Sequence, residues 1–504
     1  MAIRPDDKDR RMATAVELTS FQPETLYGDK KVGLVDIGSS SIRLVIYRAG
    51  GRLPHPQFNE REVCRLGAGL GETGQLDPDR IAHALETLSR FSIIARFSNL
   101  DRLDVFATEA VRKASNQADF IKPAEALLGC GIRILDGVEE ARYAALGVIS
   151  GFVEVDGVAA DLGGGSLELQ PIRHSQLMPV PKGESSLPIG HLNPLETKTV
   201  RGAVATLGWL DDFRGRNLYA VGGTWRAIAT AFSTQSKKRL DIVHGMTLTI
   251  PKLELMMERI DEANGEVDGI PPARRSSMRQ AIKVLRCLID ALEPEAVVFS
   301  GYGAREGILY EQLDATNADI DPLIAGVREY AGMWQRYDGM GDALMDVMEP
   351  FISFLPKPMH RLARSCALLA DLSWLDFPDY RGSLSAEKIL GLSVVGITHP
   401  ERIWMAAVLY IRYHGRFPDR GLFRGKLTRK ERQMASYTGL VLRMLMNLTG
   451  GLPRLLGGIS ADREKRSIYL SFPDDMRGLI TPLFKRRVDA VARFSPAKII
   501  VRQP

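Results

Sequence analysis

Asp161, at the end of an apolar run and just before three consecutive glycines, is the position that most limits what this chain can fold into. The stretch Val158–Leu169 reads VAADLGGGSLEL. Val158, Ala159 and Ala160 end a buried strand, and Leu167, Glu168, Leu169 and Gln170 alternate apolar and polar residues as a second strand does. The loop therefore joins the strands of a hairpin rather than a strand and a helix. Gly163, Gly164 and Gly165 are expected at positive φ, where successive backbone N–H groups form a concavity that binds an anion without a cationic side chain. Asp161, at the strand end, can then face a cation that bridges the anion.

The same frame occurs earlier in the chain. Lys31–Tyr47 reads KVGLVDIGSSSIRLVIY, again a strand, a tight loop and a strand. Asp36 falls on Asp161, Gly38 on Gly163 and Ser41 on Ser166, each pair 125 residues apart (161 less 36). The frame D-x-G-x-x-S, placed twice between apolar strands and each time opening a region of similar length, implies a duplicated domain. Two such loops facing each other across a cleft make the natural place for a ligand.

The segments between these loops fit that plan. Asp77-Pro78 has the chemistry of a helix start, with Ile81, Leu85, Leu88 and Phe91 at helical spacing after it. Gly69–Gly74 matches a dinucleotide fingerprint by its letters but lacks the strand, glycine loop, helix and following acid that the fingerprint needs, so it is read as a flexible hairpin loop. Val105–Ala107 reads as a strand, with Thr108 capping a helix that carries Arg112 about one turn inside. After a strand at Ile132–Leu135, Asp136 and Glu139 have capping-box spacing. That gives Glu139 a structural task and leaves Glu140 free on a different face. In the second copy, Leu218–Val221 runs into Gly222-Gly223-Thr224, and Ala296–Ser300 into Gly301–Gly307, both as strand, glycine turn and helix. Lys237–Arg239 and Arg274–Arg279 read as basic connections. Hairpins mixed with strand–helix crossovers, twice over, fit the duplicated α/β, ribonuclease H-like architecture of the actin, Hsp70 and sugar kinase superfamily.

A chain of 504 residues divides on size alone into about three or four domains. The expected division is a loose arm over residues 1–30, first and second α/β domains over 31–155 and 156–320, and a mainly helical region over 321–504. From about residue 430 that last region can include a small α/β piece, since RSIYLSF and AKIIV both read as strands. With 45% apolar and 25% charged residues, the composition is that of a globular protein rather than a disordered one. Apolar runs such as Trp404–Ile411 fall far short of the ~20 residues that cross a bilayer, and the arm has no signal-peptide core; a cytoplasmic protein without membrane contact is expected. Cys64, Cys130, Cys287 and Cys366 have no paired spacing, which argues against a disulfide framework or a zinc knuckle. A net charge of +5 suits a polyanionic partner without demanding one. The basic clusters Arg424, Lys426, Arg429, Lys430, Arg432 and Lys485, Arg486, Arg487 lack interleaved aromatic residues. They read as solvated faces or an extension of a phosphate track, not as sequence-specific nucleic-acid readers.

Six motifs in order, VDIGSSSIRL, ATEAVRKA, LDGVEEAR, AADLGGGSLEL, AVGGTWRAIA and SGYGAREGILY, resemble those of the exopolyphosphatase and guanosine pentaphosphate phosphohydrolase (Ppx/GppA) group over about residues 32–315. The resemblance implies that Glu140 is the catalytic base that activates water and that Asp161, with Asp36, is associated with Mg²⁺. It implies phosphate contacts from the loops Gly38, Ser39, Ser40, Ser41 and Gly163, Gly164, Gly165, Ser166, and from Arg112. Ser40 stands where the group commonly has asparagine, which puts that amide's contact in doubt. Gly222, Gly223 and Thr224 form either a third phosphate or nucleotide contact or a helix-packing turn. The chemistry holds together without the name: phosphoanhydride hydrolysis needs charge neutralisation, an in-line water and a group to orient it.

The leading expectation is an Mg²⁺-dependent exopolyphosphatase acting on inorganic polyphosphate, without an organic cofactor. The alternatives are hydrolysis of guanosine pentaphosphate at the same site, a non-catalytic sensor of polyphosphate or a guanosine penta- or tetraphosphate, and a phosphoryl-transferring kinase. A homodimer is expected. The C-terminal region resembles the HD-type helical domain of long members of the group, but Ala370-Asp371 stands where an HD pair would place histidine before aspartate, so no metal ligation is expected there. His360, His399 and His414 read as surface or structural residues.

Overall fold

The structure, a computed structural model, describes residues 30–192, 194–236, 240, 242–417, 423 and 425–502. The N-terminal arm through residue 29, the basic connection Lys237–Arg239 and Arg424 lie outside the described residues.

Two mixed sheets repeat one plan. In the first, β1 (Lys30–Ile37) and β2 (Ile42–Ala49) form a hairpin, β3 (His55–Glu62) adds antiparallel to β2, and β4 (Arg102–Ala107) and β5 (Ile132–Ile134) follow in parallel, giving the order β3-β2-β1-β4-β5. The second contains β6 (Gly157–Leu162), β7 (Leu167–Arg173), β8 (Gln176–Leu177), β9 (Ser186–Leu187), β10 (Asn217–Val221), β11 (Met246–Leu248) and β12 (Val297–Phe299). Its order is β8-β7-β6-β10-β12-β11, with β9 also on β7. The hairpin β6–β7 stands where β1–β2 stands, and β10 and β12 run parallel beside it as β4 and β5 do. Even the register repeats: Asp36 pairs with Arg43, and Asp161 pairs with Glu168. This is the duplicated α/β fold of the actin, Hsp70 and sugar kinase superfamily.

The sequence of β1 explains why it sits centrally. Val32, Leu34, Val35 and Ile37 are all buried, because both faces of the sheet are covered. Val32 and Leu34 join one apolar cluster, Val35 and Ile37 the other, as the two-residue side-chain period requires. On the second face lies the helix Pro78–Phe97. Asp77 caps it by accepting from the amides of Asp79 and Arg80, and Ile81, Ala84, Leu88 and Phe91 are its buried stripe. The capping box of Asp136 and Glu139 is present as the spacing predicts and starts the helix Gly137–Gly151. That helix joins the two halves by packing on the helix Ala304–Glu311. A Cβ on Gly147 would lie 2.1 Å from the Gly303 carbonyl oxygen, and one on Gly307 would lie 1.9 Å from that of Tyr143. Only glycine permits such an approach.

Three local expectations need correcting. Gly69–Gly74 is not a hairpin loop: Leu70–Thr73 is a helical turn between Gly69 and Gly74, both left-handed. Thr108 precedes the helix Glu109–Lys113, but its hydroxyl makes no capping bond and instead lies 3.5 Å from the carbonyl of Ile37 on the neighbouring parallel strand. Finally, Gly163, Gly164 and Gly165 do not have positive φ. Space, not backbone handedness, demands glycine there: a Cβ on Gly165 would lie 1.7 Å from Glu109 Oε2, and one on Gly164 would lie 3.0 Å from both Ser39 and Leu192.

The C-terminal region is mainly helical, around a core that includes Phe351, Leu362, Trp404 and Leu445. It ends in the sheet β13-β14-β15, formed by Ser460–Glu464, Ser467–Ser471 and Lys498–Arg502. The last two strands are the ones legible in sequence; β13, SADRE, is a polar, mostly exposed edge with no apolar pattern to announce it. Asp371 is buried and ion-paired to Arg336 at 2.8 Å and Arg412 at 3.6 Å. Among the described residues no helix is long and apolar enough to cross a membrane.

Candidate active site

The two D-x-G-x-x-S loops adopt the same turn. The amide of Gly38 donates to the carbonyl of Ser41 at 3.0 Å, and that of Gly163 to Ser166 at 2.9 Å. Each loop is braced from behind. The carbonyls of Ser39 and Ser40 accept from Gly67 and Arg65, while those of Gly163, Gly164 and Gly165 accept from His191, Leu192 and Gly190. The loop acceptors are thereby taken up, and the amides of Ser39, Ser40, Gly164 and Gly165 have no backbone acceptor among the described residues. Amides left in this state are the donors that an anion needs.

Between the loops lies a cavity of about 220 Å³. Its walls carry five carboxyl groups, those of Asp36, Glu109, Glu140, Asp161 and Glu168, and five guanidinium groups, those of Arg43, Arg61, Arg226, Arg274 and Arg305. Their charges do not simply cancel at neutral pH. Burial pushes Glu140 up to about 7 against the opposing pull of Arg112, and Asp161 up to about 6 against that of Arg226. Burial likewise raises Glu168, with the charge of Glu140 adding to the effect, and it raises Asp36. Arg43 and Arg274 are lowered by burial only to about 10, so they remain cationic. Burial opposes charge on Arg305, but Glu306, Tyr47 and Asp36 outweigh it and hold that guanidinium protonated. His191 is pushed down to about 4 by burial and by Arg274, and is neutral. The cavity is therefore biased toward positive charge, which suits an anionic ligand.

Of the residues singled out from sequence, Asp36, Gly38, Ser39, Ser40, Ser41, Glu140, Asp161, Gly163, Gly164, Ser166, Gly222 and Gly223 all line this cavity. Gly222 has φ of +103° and turns the chain into the helix Gly223–Gln235, whose N-terminus meets the cavity. Three residues stand elsewhere. Gly165 lies behind its loop against Glu109. Thr224 is buried, its hydroxyl accepting from Arg274 Nη1 at 3.1 Å. Arg112 donates to the Leu135 carbonyl and to Glu140 Oε1, the latter at 2.6 Å, so its guanidinium holds the carboxylate rather than lining the cavity. The capping box is what separates the two adjacent glutamates: Glu139 Oε2 accepts from the Asp136 amide, and Glu140 turns to the cavity.

Sequence reading missed the arginines. Arg43 follows the first loop on β2 and occupies the register position that Glu168 has in the second copy, a signal present in the 125-residue repeat. Arg61 arrives from β3 and donates to Ser41 Oγ at 2.8 Å. Arg226 and Arg305 sit inside the motifs AVGGTWRAIA and SGYGAREGILY. Arg274, read as part of a polar connection, instead reaches the cavity from the first turn of the helix Pro272–Leu292.

Exopolyphosphatase 1 of Mycobacterium leprae is 27% identical over 332 residues, spanning 60% of this chain and 95% of that protein. The crystal structure of an exopolyphosphatase from Cytophaga hutchinsonii, 20% identical, has the same fold over 56% of this chain and 99% of that one, with a TM-score of 0.51. The Aquifex aeolicus Ppx/GppA enzyme aligns over 56% of this chain and 98% of its own at 23% identity and a TM-score of 0.48. A family model for the C-terminal part of exopolyphosphatases matches residues 357–501, and the Ppx/GppA phosphatase model matches residues 45–316, more than half of the chain. The chain belongs to the Ppx/GppA phosphatase family.

Proposed function

We propose that this protein is an exopolyphosphatase, which hydrolyses the terminal phosphoanhydride bond of inorganic polyphosphate and releases orthophosphate. The observation that carries this reading is the convergence of two amide-presenting loops, five arginines and Glu140 on one small cavity. The loops and the arginines bind the terminal phosphoryl group and offset the charge that develops on its oxygens. Glu140, held by Arg112, accepts a proton from the attacking water and orients it in line with the leaving phosphate. An acid whose proton leaves near pH 7 suits that task, since it is a carboxylate at working pH yet basic enough to accept a proton.

A divalent cation, Mg²⁺ by its preference for hard oxygen donors, fits Asp36 and Asp161. Both are half-buried carboxylates whose proton affinity burial raises, and the charge of Asp36 adds to the rise on Asp161, a repulsion that a cation relieves. Among the described residues no group of three or more histidines, cysteines or acids gathers to hold a metal. That is the expected setting for Mg²⁺, which keeps its waters and takes one or two carboxylates plus substrate phosphates. When bound it would polarise the phosphoryl oxygens.

The test is phosphate release from long polyphosphate and from guanosine pentaphosphate, measured side by side with Mg²⁺, for wild type and Glu140→Gln. Turnover of polyphosphate that falls by 10²-fold or more in the variant supports the proposal. Absence of release from polyphosphate, or equal activity in the variant, overturns it; faster turnover of the nucleotide reverses the order of substrates.

A further inference from the structure

A second cavity, of about 460 Å³, lies in the C-terminal region, lined by none of the residues that line the catalytic cavity. Its wall is one face of the helix Arg429–Thr449, with Arg429, Arg432, Gln433, Ser436 and Leu440 at the three- and four-residue spacing that shares a face. The end of the helix His399–His414 adds Ile411, Gly415, Arg416 and Phe417, and the end of the helix Pro482–Ala492 adds Ala490, Arg493 and Phe494.

The composition of this lining is specific. Four arginines meet there, and among the described residues no acid lines it. None of the four guanidinium groups is ion-paired to a described residue. Glu431, the acid next to Arg432 in sequence, is occupied by the cap at Thr428. The carbonyls at the end of the helix His399–His414, which would repel an anion, accept instead from Arg443. Positive charge is crowded here: Arg443 is lowered by burial and by Arg487, and His414 by burial, Arg443 and Arg416. The other half of the lining is apolar, with Ile411, Leu440 and Ala490 as floor and the rings of Phe417 and Phe494 at the rim. Phe417 is fixed by an edge contact with Phe423, at 6.0 Å between centroids, whereas Phe494 is exposed. A bare phosphate chain would use the arginines and leave this floor idle. A ligand with a planar apolar body and a phosphate tail uses both, the ring stacking on phenylalanine or guanidinium planes and the phosphates taking the arginine forks. The volume also lies within the range of small-molecule sites.

We propose that this cavity binds a nucleoside di- or triphosphate, as an effector site separate from the catalytic cavity. The full chain, kept free of divalent metal, is titrated calorimetrically with ATP, GTP, tripolyphosphate and adenosine. At least one of the two nucleotides is expected to bind tenfold or more tightly than adenosine. The double variant Arg432→Ala/Arg493→Ala should weaken that nucleotide tenfold or more. Phe494→Ala should weaken the nucleotide and leave tripolyphosphate unchanged. All three side chains are exposed, so the variants should melt as wild type does and, without nucleotide, should hydrolyse polyphosphate at the wild-type rate. The proposal is overturned if neither nucleotide binds, or if nucleotide affinity is the same in wild type and both variants, which would place the ligand elsewhere. It is also overturned if Arg432→Ala/Arg493→Ala weakens tripolyphosphate as much as the nucleotide and Phe494→Ala changes neither, which would make the cavity an anchor for phosphate chains.

Discussion

Gly307→Ala tests the contact on which the geometry of the catalytic cavity rests. The added Cβ would lie 1.9 Å from the Tyr143 carbonyl oxygen and 2.8 Å from the Gly147 amide nitrogen, where ordinary contact begins at 3.4 Å. Both neighbours are backbone within a helix, so neither can swing aside. The helices Gly137–Gly151 and Ala304–Glu311 would have to part by about 1.5 Å, the gap between that overlap and normal van der Waals separation. Overpacking of this kind costs about 1–3 kcal/mol, and a backbone-to-backbone clash belongs at the upper end. A loss of about 3 kcal/mol corresponds to a melting temperature lower by roughly 3–5 °C for an unfolding unit of this size. The same displacement separates Glu140, on one helix, from Arg305, on the other. A misplacement of ~1 Å between reacting groups costs about 10²-fold in rate. The assay is thermal unfolding together with kcat for polyphosphate hydrolysis, with Gly202→Ala as control, since that glycine has no atom within 4 Å of its added Cβ. If Gly307→Ala melted and turned over as the control does, the close helix crossing would not be what sets the cavity.

Further outcomes follow from the same structure. Because the Glu140 proton leaves near pH 7, and the deprotonated form is the base, kcat should fall about tenfold per unit as pH drops below 7. Arg112→Ala removes an interaction that lowers this value, so the acidic limb should move to higher pH; an unmoved limb would refute the coupling. Chelation by EDTA should abolish phosphate release and Mg²⁺ restore it, with Asp36→Asn and Asp161→Asn each requiring more metal for half-maximal rate; unchanged metal requirements would exclude both as ligands. Asp371→Ala should destabilise the protein by about 3–5 kcal/mol in denaturant unfolding, because it leaves Arg336 and Arg412 uncompensated in a buried site. A loss below ~1 kcal/mol would show that water reaches those guanidinium groups.

How much of the site was legible depended on the range of the forces involved. The hairpin loops were readable because strand alternation, a terminal acid and a following glycine act within a dozen residues, and duplication wrote them twice. Glu140 was separable from Glu139 because a capping box is local: three residues and two hydrogen bonds decide it. The conformation of Gly163, Gly164 and Gly165 was not legible. Glycine is required both by positive φ and by close approach, and only the position of Glu109, Ser39 and Leu192 shows that approach is the reason. Arg112 was misplaced for a related cause: its position one turn into a helix was clear, but whether it faced a phosphate or Glu140 depended on how β5 and the helix Gly137–Gly151 dock beside it.

The amino-acid sequence by itself determined the duplication, the two phosphate-type loops, the carboxyl groups at the strand ends and the family, since each is carried by short-range pattern. Tertiary structure alone decided the electrostatics. Arg43, Arg61, Arg226, Arg274 and Arg305 come from five elements of both halves and meet only when the sheets face each other, and the raised proton affinities of Glu140 and Asp161 exist only once burial has removed water from around them. Charge acts through space and desolvation through packing, and neither is a property of sequence spacing.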